Sequence, residues 1–177
     1  MPNQRIKRWL LAAAAVVAAA AFAPQEIWAN NDPPPEPPKE RPKKSKDKSK
    51  SEKKDSSLDQ DQVYSLAYWQ AKTGEYGKAL ATLESAPNQN DPRVQTMMGF
   101  TLRKMGRVDE AFGYYFKALA TRPEATTTRQ YLGEAYLQIG DAARAREQLA
   151  EIGKRCGTAC EDYTALAEEI ARHERAG

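Results

Sequence analysis

The chain has 177 residues, with 27 Lys and Arg against 24 Asp and Glu, and a formal net charge of +3. It carries one histidine and two cysteines. One imidazole argues against a histidine-based nucleophile–base pair and against a zinc site, which would need more ligands.

Arg5, Lys7 and Arg8 precede an apolar run from Trp9 to Ala23, which is 15 residues long. That is short of the roughly 20 residues that cross a bilayer. A basic start, a short apolar stretch and small residues at its exit predict a signal peptide over residues 1–29, cleaved after Ala29. The mature chain is then expected to be periplasmic or otherwise exported. The alternative is an uncleaved segment that anchors the protein in the inner membrane. No cysteine lies near the end of the apolar run, which argues against a lipid anchor there.

Residues 30–57 open with Pro33-Pro34-Pro35-Glu36-Pro37-Pro38 and continue as a Lys/Ser/Asp tract. The segment lacks Val, Leu, Ile, Phe, Tyr and Trp, so it cannot build a core and is expected to be a disordered linker. Its nine basic and six acidic residues fit a solubilising spacer, or a tether that touches anionic surfaces or an acidic partner. Nucleic acid is not an expected partner of an exported chain.

From Asp59 onward the balance reverses, with 15 Lys and Arg against 17 Asp and Glu. Here a pattern recurs. Gly74, Gly106 and Gly140 are separated by 32 and 34 residues. Seven positions before each stand Ala67, Gly99 and Gly133, and five positions after each stand Ala79, Ala111 and Ala145. A period near 34 with small residues at fixed offsets signals stacked helix–turn–helix units.

The residues resemble the tetratricopeptide repeat. Met98-Gly99, Leu102, Ala111, Tyr115 and Pro123 fall at the consensus offsets of one unit. Leu132-Gly133, Tyr136, Ala145 and Leu149 fit a second, with Gly157 where the proline is expected. Leu66-Ala67, Ala79 and Leu83 mark an earlier unit that lacks the aromatics. The expected fold is all-α: a right-handed superhelical stack of about three tetratricopeptide helix pairs plus a C-terminal capping helix, over residues 58–177. In chain order the phase predicts helices at about 59–73, 76–85, 92–105, 108–121, 125–139, 142–152 and 159–174. Asp91 followed by Pro92 reads as a helix start, and Pro87 shortens the second helix.

Cys156 and Cys160 sit between the last pair and the capping helix. Thr158 and Glu161 read as a capping box, which places Cys156 outside the helix and Cys160 in its first turn. In an exported chain two cysteines this close predict a structural disulfide. The C-x3-C spacing differs from the redox C-x2-C, and no haem-attachment motif or metal ligand set is present. The acidic pairs Asp109-Glu110, Glu161-Asp162 and Glu168-Glu169 read as solvated charge, and His173 as a solvated residue. No enzymatic activity, cofactor or metal is expected.

In tetratricopeptide arrays the first helix of each pair lines a concave groove. The resemblance points Tyr64, Tyr68 and Lys72 of the first unit into it. The second unit adds Arg93, Phe100, Arg103 and Lys104, and the third adds Gln130, Glu134, Leu137 and Gln138. Such a groove suits an extended or helical peptide with acidic and apolar residues. The two-carboxylate clamp of the chaperone-binding members is absent, because Tyr64, Tyr68, Met97, Thr127 and Tyr131 occupy its positions. The expected function is an exported scaffold or adaptor that binds a peptide or helix of another envelope protein and supports assembly of an envelope complex. The alternative is a self-associating structural repeat protein tethered to the membrane, with homo-oligomers as its product.

Overall fold

The structure, a computed structural model, describes residues 35–37 and 58–176. The signal-peptide reading of residues 1–29 and most of the linker reading lie outside the described residues. Within them are seven helices and no strand: α1 (Gln60–Lys72), α2 (Tyr76–Glu84), α3 (Pro92–Lys104), α4 (Val108–Thr121), α5 (Thr126–Gln138), α6 (Ala142–Cys156) and α7 (Glu161–Ala176). None of the described helices is long and apolar enough to cross a membrane.

Local chemistry sets these limits. Asp59 forms a capping box with Gln62 at the start of α1. The Asp91 carboxylate accepts from the Arg93 backbone N–H at 2.8 Å, with Pro92 in the first turn of α3. At the other end of α3, Gly106 takes φ +82°, which lets its N–H reach the Arg103 carbonyl and the Arg107 N–H reach the Leu102 carbonyl. Gly74 and Gly140 end α1 and α5 with the same pair of bonds. The repeated glycine is therefore the repeated helix stop.

The helices pair as α1 with α2, α3 with α4 and α5 with α6. The first helices also meet one another, α1 against α3 and α3 against α5, and α7 continues this layer beside α5. One core runs through the stack, and Ala67, Ala79, Ala111, Ala135 and Ala145 are fully buried in it. A Cβ placed on Gly99 would lie 2.6 Å from the Tyr115 ring, so glycine is what lets α4 approach α3. At Gly133 the intruding side chain is Leu166 of α7, again 2.6 Å from such a Cβ. The small residue of the third unit thus makes room for the closing helix.

The junction at the cysteines differs from the sequence reading. Helix α6 runs to Cys156, a full turn past the expected end, and α7 begins at Glu161. Gly157 sets the end: at φ +82° it caps α6 just beyond Cys156, its N–H donating to the Gly153 carbonyl at 3.0 Å. Thr158 therefore starts no helix. Cys156 is the last residue of α6, and Cys160 precedes α7, its carbonyl accepting the first helical bond from Thr164 at 3.0 Å. The two sulfurs lie within bonding distance, with the Cα atoms 5.8 Å apart.

Candidate peptide-binding face

Helices α1, α3, α5 and α7 form one layer, and the residues expected to line a groove are distributed along it. At its N-terminal edge Arg93 bridges two carboxylates, Asp91 at 2.8 Å and Asp61 at 2.9 Å, and stands over the Tyr64 ring at 5.2 Å. The hydrogen bond to Asp91 raises the Arg93 pKa further. Burial pushes the Asp91 carboxyl up, but the bonds from the Arg93 side chain and backbone outweigh it and hold the group below the usual range. Arg93 is thus committed to the fold at the junction of α1 and α3.

The middle of the layer is aromatic. Phe100 lies 5.0 Å from the Tyr131 ring and 6.5 Å from Tyr76. Tyr64, Tyr68, Phe100 and Gln130 are buried, as are Met97, Thr127 and Tyr131. The positions that would carry clamp charges are therefore interior and contribute none. Lys72 is exposed at the end of α1.

At the C-terminal ends of α3 and α5 the layer opens into a cleft of about 460 Å³, lined by Arg103, Lys104, Glu134, Leu137 and Gln138 together with Glu169, Arg172 and His173 of α7. Five expected residues converge here. Arg103 differs from the expectation of a basic groove residue, because its side chain is only 8% exposed and is ion-paired with Glu134. Burial opposes the Arg103 charge, but Glu134 beside it more than compensates, so the guanidinium stays charged. For Glu134 burial prevails over Arg103, and its carboxyl titrates above the usual carboxylate range. Gln130 donates to the other Glu134 oxygen at 3.0 Å. Lys104, half-buried and 5.6 Å from the Phe100 ring centroid, lines the cleft beside them.

Two features escaped the sequence reading. His173, Arg172 and Glu169 line the cleft because α7 continues the inner layer, which no repeat offset announces. Asp162, read as solvated, is 3% exposed and accepts from the Thr127 hydroxyl. The two residues are 35 positions apart, and only their placement on adjacent helices joins them.

Residues 102–169 match the family model of the tetratricopeptide repeat. The stack is a tetratricopeptide-repeat fold. No curated protein matches the sequence. Among solved structures the tetratricopeptide stack is similar to SycD, a type III secretion translocator chaperone of Yersinia enterocolitica. One SycD structure is 22% identical over 65% of this chain and 88% of its own, with a TM-score of 0.55. A second is 21% identical over 65% and 83%, with a TM-score of 0.56. SycD in complex with a peptide of the translocator YopD is 22% identical over 65% and 88%, with a TM-score of 0.53. At this identity the likeness is one of fold.

Proposed function

We propose that this chain is an exported adaptor that binds an acidic, partly apolar segment of another envelope protein in the inner-face cleft and helps to assemble or position it. The cleft carries this reading. It sets Lys104 and the ion pair of Arg172 with Glu169 beside Leu137 in an open recess at the end of the inner layer, built by three helices of the repeat stack. The complementary ligand presents carboxylates beside an apolar side chain. The likeness to SycD, which has been solved with a peptide of a partner protein, supports a protein ligand. Repeat stacks use such surfaces for binding, and no catalytic step is assigned to this one.

The test is capture of the partner from an envelope extract by the wild-type chain and by a Lys104→Glu/Arg172→Glu variant. Both side chains lie outside the buried Arg103–Glu134 pair, and the contact that Arg172→Glu breaks, its ion pair with Glu169, is exposed on both sides, so the fold is expected to survive. Loss of capture with unchanged helical content supports the reading, and undiminished capture overturns it. The export part has its own check, the intact mass of protein isolated from the envelope without reductant. A mass beginning at Asn30 and lighter by two hydrogens supports cleavage and a Cys156–Cys160 disulfide. A full-length mass with free thiols overturns both.

A further inference from the structure

Pro35 and Glu36 are held by two side chains of α1. The Trp69 indole N–H donates to the Pro35 carbonyl at 2.9 Å, and the Ser65 hydroxyl donates to the Glu36 carbonyl. Ser65 and Trp69 are four residues apart, so they stand on one face of α1, one turn from each other. Successive carbonyls meet Trp69 first and Ser65 second, so the segment runs antiparallel to the helix.

The chemistry of the two partners explains the contact. Proline has no N–H and cannot join a helix or sheet as a donor. A proline run offers its carbonyls and its ring faces, and its restricted backbone loses little freedom on docking. A surface that recognises it must supply N–H or O–H donors and an aromatic plane. Trp69 supplies both. Tyr68 packs edge-on against the Trp69 ring, at 5.5 Å and 83°, and fixes its plane.

We infer that Ser65 and Trp69 form a recognition site for a proline-rich strand, and that the chain's own Pro35-Glu36-Pro37 is its resident occupant. Only residues 38–57 separate the occupant from Leu58 at the foot of α1. A tether this short gives the strand an effective concentration of roughly millimolar, so a contact with a Kd well below that is closed most of the time. A partner strand of the same chemistry must displace the chain's own segment. The inference concerns α1 and does not rest on the cleft between α3, α5 and α7.

The test uses the full chain with Trp9→Phe and Trp28→Phe, which leaves Trp69 as the only tryptophan. Replacing Pro34, Pro35, Pro37 and Pro38 by glycine in that background is expected to red-shift Trp69 emission and to raise its acrylamide quenching at least twofold, with the helical melt unchanged. A synthetic peptide of residues 31–40 should reverse both changes in the glycine variant and do nothing to the parent. Adding Ser65→Ala to the glycine variant should weaken the peptide severalfold. Emission and quenching that ignore the glycine substitutions overturn the inference, as does a peptide that acts equally on parent and variant or on neither. These readouts are independent of partner capture through Lys104 and Arg172, so failure of the proposed function and failure of this site are told apart.

Discussion

The Thr127 hydroxyl lies 3.2 Å from both carboxylate oxygens of Asp162 and ties α5 to the closing helix α7. Burial raises the Asp162 pKa to about 6, against the lowering effect of hydrogen bonds from Thr126 and Thr127. A carboxyl whose folded pKa is raised stabilises the fold when protonated. Its contribution is fully present below the ordinary carboxylate value and is lost as the pH rises through about 6. Asp162→Asn keeps an acceptor for the hydroxyl and removes the charge. The variant should therefore be more stable than wild type at pH 7.5, by about 2 kcal/mol, and equal to it near pH 4. Denaturant unfolding across that range measures the difference. A pH-independent difference would show that the Asp162 pKa is the same in the folded and the unfolded chain, so that burial does not raise it.

Gly99 and Gly113 make opposite forecasts for one substitution. At Gly99 an added methyl meets the Tyr115 ring at 2.6 Å, and Tyr115 is fully buried. Gly99→Ala should destabilise by about 1–3 kcal/mol through overpacking. Gly113 lies inside α4 with open space around it. Gly113→Ala should stabilise by about 0.5–1 kcal/mol from helix propensity. Thermal melts of the two variants decide, and melting shifts of the same sign would refute the packing argument.

The Arg103–Glu134 pair is buried, and breaking one side strands the other charge. Arg103→Ala should cost about 3–5 kcal/mol. The ion pair of Arg107 with Glu110 is exposed to solvent on both sides, so Arg107→Ala should leave the melting temperature unchanged within error. Equal melts for the two variants would mean that the Arg103 pair is hydrated.

The link between Cys156 and Cys160 closes a very short loop, four residues in separation. Its removal should be mild for that reason, about 2 kcal/mol from loop closure. Cys156→Ser/Cys160→Ser should therefore remain folded and melt a few degrees lower, and reductant should lower wild type to the same point. Reductant that leaves the wild-type melt unmoved would show that no disulfide had formed.

The repeat, the helix stops and the stacking were legible in the sequence because each is set by local chemistry. Gly74, Gly106 and Gly140 end helices through their own backbone conformation. Asp91 with Pro92 starts a helix wherever it stands, and Gly99 marks a close approach even before its neighbour is known. The junction near Cys156 was misread because Thr158 and Gly157 both send local signals, and the glycine, capping a longer α6, prevailed. What only the tertiary structure decided is which charges are buried inside the stack and which line its open cleft. Arg103 meets Glu134 across 31 positions, Thr127 meets Asp162 across 35, and Trp69 meets Pro35 across 34. A charged or polar side chain carries no sequence mark of its partner at such distances. Its burial follows from the packing of whole helices, and that packing turned an expected basic groove into a neutralised interior with an open cleft at one end.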